Sequence, residues 1–149
     1  MPIKDFCTQE VVTVRAEESL FEAARRMSER GVGTVVVIDA EGTPIGMLTD
    51  RDITVKAVAD GKDPRTTLVR EVMHTDVVAL NEERGVFETI RTMREQGIRR
   101  IPIVNSEGRL SGIISLDDLI MLMGEEMANL SGVVAYGASA KPMKKIVIA

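Results

Sequence analysis

The chain has 149 residues, 44% of them hydrophobic and 28% charged, and a net charge of −4. That mix describes a folded globular chain, and it supplies no overall basic field to recruit nucleic acid or anionic lipid. Unbroken apolar runs such as VVVI at 35–38 are too short to span a bilayer, and the single cysteine, Cys7, excludes an internal disulfide and a multi-cysteine zinc site.

Residues 1–10 lack the apolar stretch of a secretory signal, so a cytoplasmic location is expected. A repeat then governs every later element. Shifting the sequence by 66 residues aligns 11–53 with 77–119 without a gap, and Val11, Val12, Phe21, Met27, Gly31, Gly42, Gly46 and Asp52 are among the residues that recur identically. Each copy opens on a short β-branched run, 11–14 and 77–80. An amphipathic helix follows, with Leu20, Ala23, Ala24 and Met27 on one face in the first copy. Ser19 and Glu22 form a capping signal at its start, and Gly31 and Gly97 stop the two helices. Next comes a hairpin around AEGT (40–43) or NSEG (105–108), and a second helix begins after Thr49 or Ser115. GKDP at 61–64 reads as a turn and 66–73 as a short linking helix.

The unit is therefore β-α-β-β-α, twice. One copy has too few helices to cover its own sheet, so two copies packed about a pseudo-two-fold axis are expected, an α/β (α+β) fold. The repeats are placed at 1–62 and 63–128. Residues 129–149 form a tail with two short β-prone runs separated by turn residues.

Both repeats end alike, in GMLTDRDI (46–53) and GIISLDDL (112–119). Thr49 with Asp52, and Ser115 with Asp118, have the spacing of an N-terminal capping device. The same residues suit a ribose-phosphate site. A helix N-terminus offers free N–H groups to an anion, and a carboxylate accepts the two hydroxyls of a ribose. Arg99 and Arg100 read either as a phosphate clamp or as a solvated basic patch, and the first copy has Gly33-Thr34 there instead. His74 is the only histidine, so a metal site with several His ligands is excluded; a surface cap at the end of the linking helix is its expected role. Cys7 reads as a buried thiol. Gly31-Val32-Gly33 precedes its strand rather than following one, which argues against a dinucleotide fingerprint, and no Walker A sequence occurs. No catalytic constellation stands out, and an enzyme is not expected.

A tandem β-α-β-β-α repeat with Gly-h-h-Thr/Ser-x-x-Asp closing each unit resembles the CBS-domain pair, or Bateman module. The resemblance covers about residues 4–122, and 4–7 line up with 70–73 as its leading segments. It implies a regulatory module that binds AMP, ADP, ATP, S-adenosylmethionine or an NAD-type ligand in clefts between the repeats, with no other cofactor. In one cleft, Asp118 would hold a ribose, with Ser115, Arg100 and Arg99 on the phosphate side and Cys7, Val12 and Val32 around the adenine. The mirror cleft would use Asp52 and Thr49, with Met73, Val78 and Ile98 around the base. Thr34 stands at its phosphate position in place of an arginine, which makes it the weaker site for charged nucleotides. The resemblance also implies a homodimer, for which the Met-rich 119–127 is a candidate surface, although a Met stripe equally suits a core. A ligand-free protein-interaction module that dimerises and acts on an unknown target protein is the alternative. Nucleic-acid binding through Arg99, Arg100 and the lysines of 141–145 is not expected, given the acidic balance and the scarcity of aromatics.

Overall fold

A computed structural model describes residues 1–138. The first repeat contains β1 (Thr13–Arg15), α1 (Leu20–Arg30), β2 (Thr34–Ile38), β3 (Pro44–Thr49) and α2 (Asp50–Asp52), which runs on into a π-helical stretch, Ile53–Val58. The second contains β4 (Leu80–Asn81), α3 (Val86–Gln96), β5 (Arg100–Val104), β6 (Leu110–Ser115) and α4 (Leu116–Ala138). Each repeat makes one three-stranded sheet, in the order β1-β2-β3 or β4-β5-β6, with its first pair parallel and its second antiparallel. The register repeats as well: Thr34 pairs with Thr49 as Arg100 pairs with Ser115, and both hairpins carry an irregularity at Val37/Ile38 or Ile103/Val104.

Local chemistry accounts for these elements. The Ser19 hydroxyl accepts the Glu22 N–H at 3.2 Å, and Gly31 and Gly97 close α1 and α3 in the left-handed conformation, at φ 63° and 65°. Central strands β2 and β5 are buried along Val35–Val37 and Ile101–Ile103, with Val35 and Val37 packed against α1 and Ile101 and Ile103 against α3.

Two cores result. One gathers Val14, Leu20, Ala23, Val35, Val37, Leu48, Val69 and Val72; the other gathers Ile3, Val86, Met93, Ile101, Ile103, Ile114, Leu119 and Leu122. Each core thus contains a residue from the segment that leads into the opposite repeat. Ile3 is 0% exposed in the second core, where its N–H bonds to Arg84 O at 2.7 Å. Val69 fills the first, where its N–H bonds to Glu18 O at 2.8 Å. The exchange binds the repeats into one unit.

Three expectations need correction. Residues 66–73 are not a helix: only Val69–Glu71 form a 3-10 turn, because the N–H groups of Val69 and Arg70 are taken by Glu18 and Ala16 of the first repeat. The opening strands start two to three residues later than expected, leaving Val11, Val12, Val77 and Val78 ahead of the ladder. Finally, the first β-prone run of the tail is helical, since α4 continues through Val133 and Val134 to Ala138; the second run, 145–149, lies outside the described residues.

Candidate functional site

Both repeats close on a reciprocal capping box. Thr49 Oγ1 accepts the Asp52 N–H at 3.1 Å, while Asp52 Oδ2 accepts the Thr49 N–H at 2.9 Å. Ser115 and Asp118 repeat the arrangement at 3.1 and 2.9 Å. Capping is therefore real at both helix starts, and it occupies one carboxylate oxygen of each aspartate. What the other oxygen does distinguishes the repeats. Asp52 Oδ1 lies 2.8 Å from His74 Nε2 and 3.4 Å from Lys56 Nζ, with its side chain 8% exposed. Burial pushes the Asp52 carboxyl up, but hydrogen bonding from Thr49 and His74 outweighs it and holds the group below its ordinary range. The Asp118 carboxylate is only half-buried and makes no hydrogen bond or ion pair among the described residues beyond the cap, although its charge adds to the upward push on the Cys7 thiol.

The glycines of the two closing motifs have a steric cause. A Cβ on Gly46 would come within 2.9 Å of His74 O and 2.7 Å of Met73 Sδ. A Cβ on Gly112 would meet Thr8 O at 3.0 Å and Cys7 Sγ at 2.5 Å. Here β3 and β6 bridge to the leading segments through paired backbone bonds, Met47 with His74 and Ile113 with Thr8. Only glycine lets the backbones approach so closely.

Two clefts lie between the repeats. The larger, about 390 Å³, is lined by Thr34, Met47, Thr49, His74, Asp76, Val77, Val78, Ile98, Arg99 and Arg100. The other, about 320 Å³, is lined by Thr8, Glu10, Val11, Val12, Gly31, Val32, Gly33, Thr34, Arg100, Ile113, Ser115 and Asp118. Both are large enough for a small organic ligand. Every residue of the first cleft has its partner 66 positions away in the second, and Thr34 and Arg100, which are each other's partners, line both. The pseudo-two-fold axis runs between them.

The structure thus gathers Ser115, Asp118, Arg100, Val12 and Val32 in one cleft, and Thr49, Val78 and Ile98 in the other. Arg99 lies on the Thr49 side, so that cleft, not its mirror, carries the second arginine; its guanidinium is exposed, 4.0 Å from Asp117. Asp52, Met73 and Cys7 line neither cleft. Met73 and Cys7 pack over Gly46 and Gly112 instead, and the Cys7 thiol, pushed up by burial, lies 3.5 Å from the Lys4 carbonyl it donates to. His74 is no simple cap, since its ring engages Asp52. Sequence reasoning passed over Glu10 and Asp76, an acid at equivalent positions of both clefts. Their signal was available: each stands directly before a Val-Val pair, one position outside the aligned segment.

The comparisons with known proteins agree with this architecture. The family model described as CBS domain matches twice, at residues 3–58 and 69–125. The CBS domain-containing protein YhcV of Bacillus subtilis is 38% identical over 129 residues, 87% of this chain and 88% of its own. An uncharacterized protein of Methanopyrus kandleri, MK0525, is 34% identical over 120 residues, 80% of this chain but 61% of its own length. Among solved structures, the CBS domain pair of protein MJ0100 in complex with 5'-methylthioadenosine and S-adenosyl-L-methionine superposes with a TM-score of 0.74 at 25% identity, covering 85% of this chain and 98% of that one. The cytosolic domain of the Mg2+ channel MgtE in complex with ATP gives 0.68 at 30% identity, covering 78% and 46%. With two matched repeats that exchange their leading segments across a pseudo-two-fold axis, the chain belongs to the CBS-domain family and contains a CBS-domain pair.

Proposed function

We propose that this pair is a regulatory module, not a catalyst, that takes an adenosine-containing ligand in the cleft of Ser115 and Asp118. The carrying observation is the Asp118 carboxylate, which lines that cleft with one oxygen free of hydrogen bonds and ion pairs among the described residues. A ribose offers two hydroxyl donors to such an oxygen. The Ser115 N-terminus of α4 and Arg100, which makes no ion pair among the described residues, supply the anion side, while Val11, Val12 and Val32 supply an apolar wall for the base. MJ0100 and MgtE bind S-adenosylmethionine and ATP, which supports the ligand class. Regulation follows if the ligand binds one arrangement of the pair more tightly than another. A cytoplasmic location belongs to the same reading.

The test is thermal unfolding with AMP, ADP, ATP, S-adenosylmethionine and NAD(H), on the native chain and on Asp118→Asn. Asparagine keeps the capping acceptor but loses the charge. A ligand at about 100 times its Kd adds roughly 2.7 kcal/mol, a rise of about 5–10 °C at this size. The expected result is a rise with at least one compound that vanishes in the variant; an equal rise in both chains contradicts the assignment.

A homodimer is part of the proposal, and α4 favours it. Leu119 and Leu122 are buried in the second core, yet every residue from 124 to 137 is exposed. Ile120, Met123, Met127, Leu130 and Val134 recur at spacings of three and four, the seam of a helix that pairs with another of the same period. A second copy of the chain supplies one, and Glu125 and Glu126 lie off the seam.

A further inference from the structure

The capping boxes of the two repeats are the same to within 0.1 Å, but the surroundings of their aspartates are not. Asp52 Oδ1 is held by His74 Nε2 and approached by Lys56 Nζ, whose ammonium also donates to Val72 O at 3.3 Å. Sixty-six positions away, His74 is replaced by Thr8 and Lys56 by Leu122. Thr8 has the same backbone anchoring as His74, through paired bonds of 2.9 Å to Ile113, but its side chain makes no bond to Asp118; Leu122 is buried and apolar. Asp118 consequently lines its cleft, whereas Asp52 does not line the cleft that its own capping partner Thr49 lines.

The His74 ring stands between the two. Its backbone is fixed to Met47 by bonds of 2.9 and 3.0 Å, and its side chain, 57% exposed, lines the cleft while its Nε2 reaches back to Asp52. A ribose entering from the cleft would have to displace a charge-assisted hydrogen bond to a nearly buried carboxylate before it could bond to Asp52.

We infer that His74, assisted by Lys56, is a specificity-determining residue that closes Asp52 to a ribose, so that the pair takes one nucleoside per chain although both Thr/Ser–Asp motifs are intact. The inference rests on the proposed grip of a ribose by the motif aspartate. The difference between the repeats supplies the test variant: His74→Thr with Lys56→Leu copies the surroundings of Asp118 onto Asp52.

Equilibrium dialysis against AMP, with circular dichroism to verify folding, tests it. The native chain is expected to bind one AMP, Asp118→Asn none, His74→Thr/Lys56→Leu two, and that double variant with Asp118→Asn one. His74→Thr alone is expected to gain the second site too, which keeps the test available if the Lys56 change disturbs packing near Val72. Two AMP on the native chain, or one on both His74 variants, overturns the inference while leaving the Asp118 reading intact. No AMP on the native chain but one on the His74 variants sustains the inference and sinks the Asp118 reading. No AMP on any of these chains overturns both.

Discussion

At single residues, the informative contrast is between aspartates that occupy the same motif position. Asp52 gains hydrogen bonds on folding that hold its carboxyl below its ordinary range, so its contribution is complete above the unfolded value of 3.8 and is lost as the pH falls through the lower folded value. Asp52→Asn should therefore cost about 1–3 kcal/mol at pH 7, the range for a charge-assisted bond in a shielded setting. The gap to the native chain should narrow as urea unfolding is repeated from pH 5 towards pH 2. A gap that stays constant would mean the charge contributes nothing. The glycines allow a second residue-scale comparison. Gly112→Ala places a methyl against Thr8 O at 3.0 Å and should destabilise by roughly 1–3 kcal/mol. Gly124→Ala in α4 meets nothing within 4 Å and should stabilise by about 0.5–1 kcal/mol, as helix propensity requires. Chemical denaturation of the two variants compares them directly.

Among the elements, the ones written in local chemistry were legible in the sequence. Ser19, Gly31, Gly97 and the turns at Gly42 and Gly108 each satisfy a backbone requirement within a few residues, so pattern and structure coincide. The linking segment did not, because its Val69 and Arg70 N–H groups are claimed by residues some fifty positions earlier, and no local periodicity records such a claim. The end of α4 was misread for a related reason. Val133 and Val134 are β-branched, but the helix already started at Leu116 carries them along, and propensity is weak against an existing helix. The exposed seam on that helix carries a prediction. Leu130→Glu should convert a dimer to a monomer in sedimentation velocity and lower the helical signal in circular dichroism, since an uncovered helix frays. An unchanged sedimentation coefficient would remove the seam from the interface.

For the molecule as a whole, the 66-residue repeat made the pseudo-two-fold legible, and with it the idea of two clefts between the repeats. It concealed how the two motif aspartates differ. The sequence separated the clefts by charge, at Thr34 and Arg100, but left the two motif aspartates alike, whereas Asp52 is engaged by His74 and Lys56, and Asp118 makes no hydrogen bond or ion pair beyond its cap among the described residues. Cys7 and Met73, expected beside a base, are used to seat the leading segments on Gly112 and Gly46. The exchange of those segments makes folding a joint affair. Ile3→Ala removes a fully buried side chain from the second core and should cost about 2–5 kcal/mol, in a single unfolding transition shared by both repeats. Two separated transitions in calorimetry would show that the repeats are independent.

The central claim is that Ser115 and Asp118 form the adenosine site. A 15N-resolved NMR titration with AMP, ATP and S-adenosylmethionine tests it most directly. The account predicts shifts concentrated at the amides of Ser115 and Asp118, with Val12 and Val32 across the cleft following at the same ligand concentrations. Shifts confined to Thr49–Asp52 and Val78, or none with any of the three compounds, would contradict it.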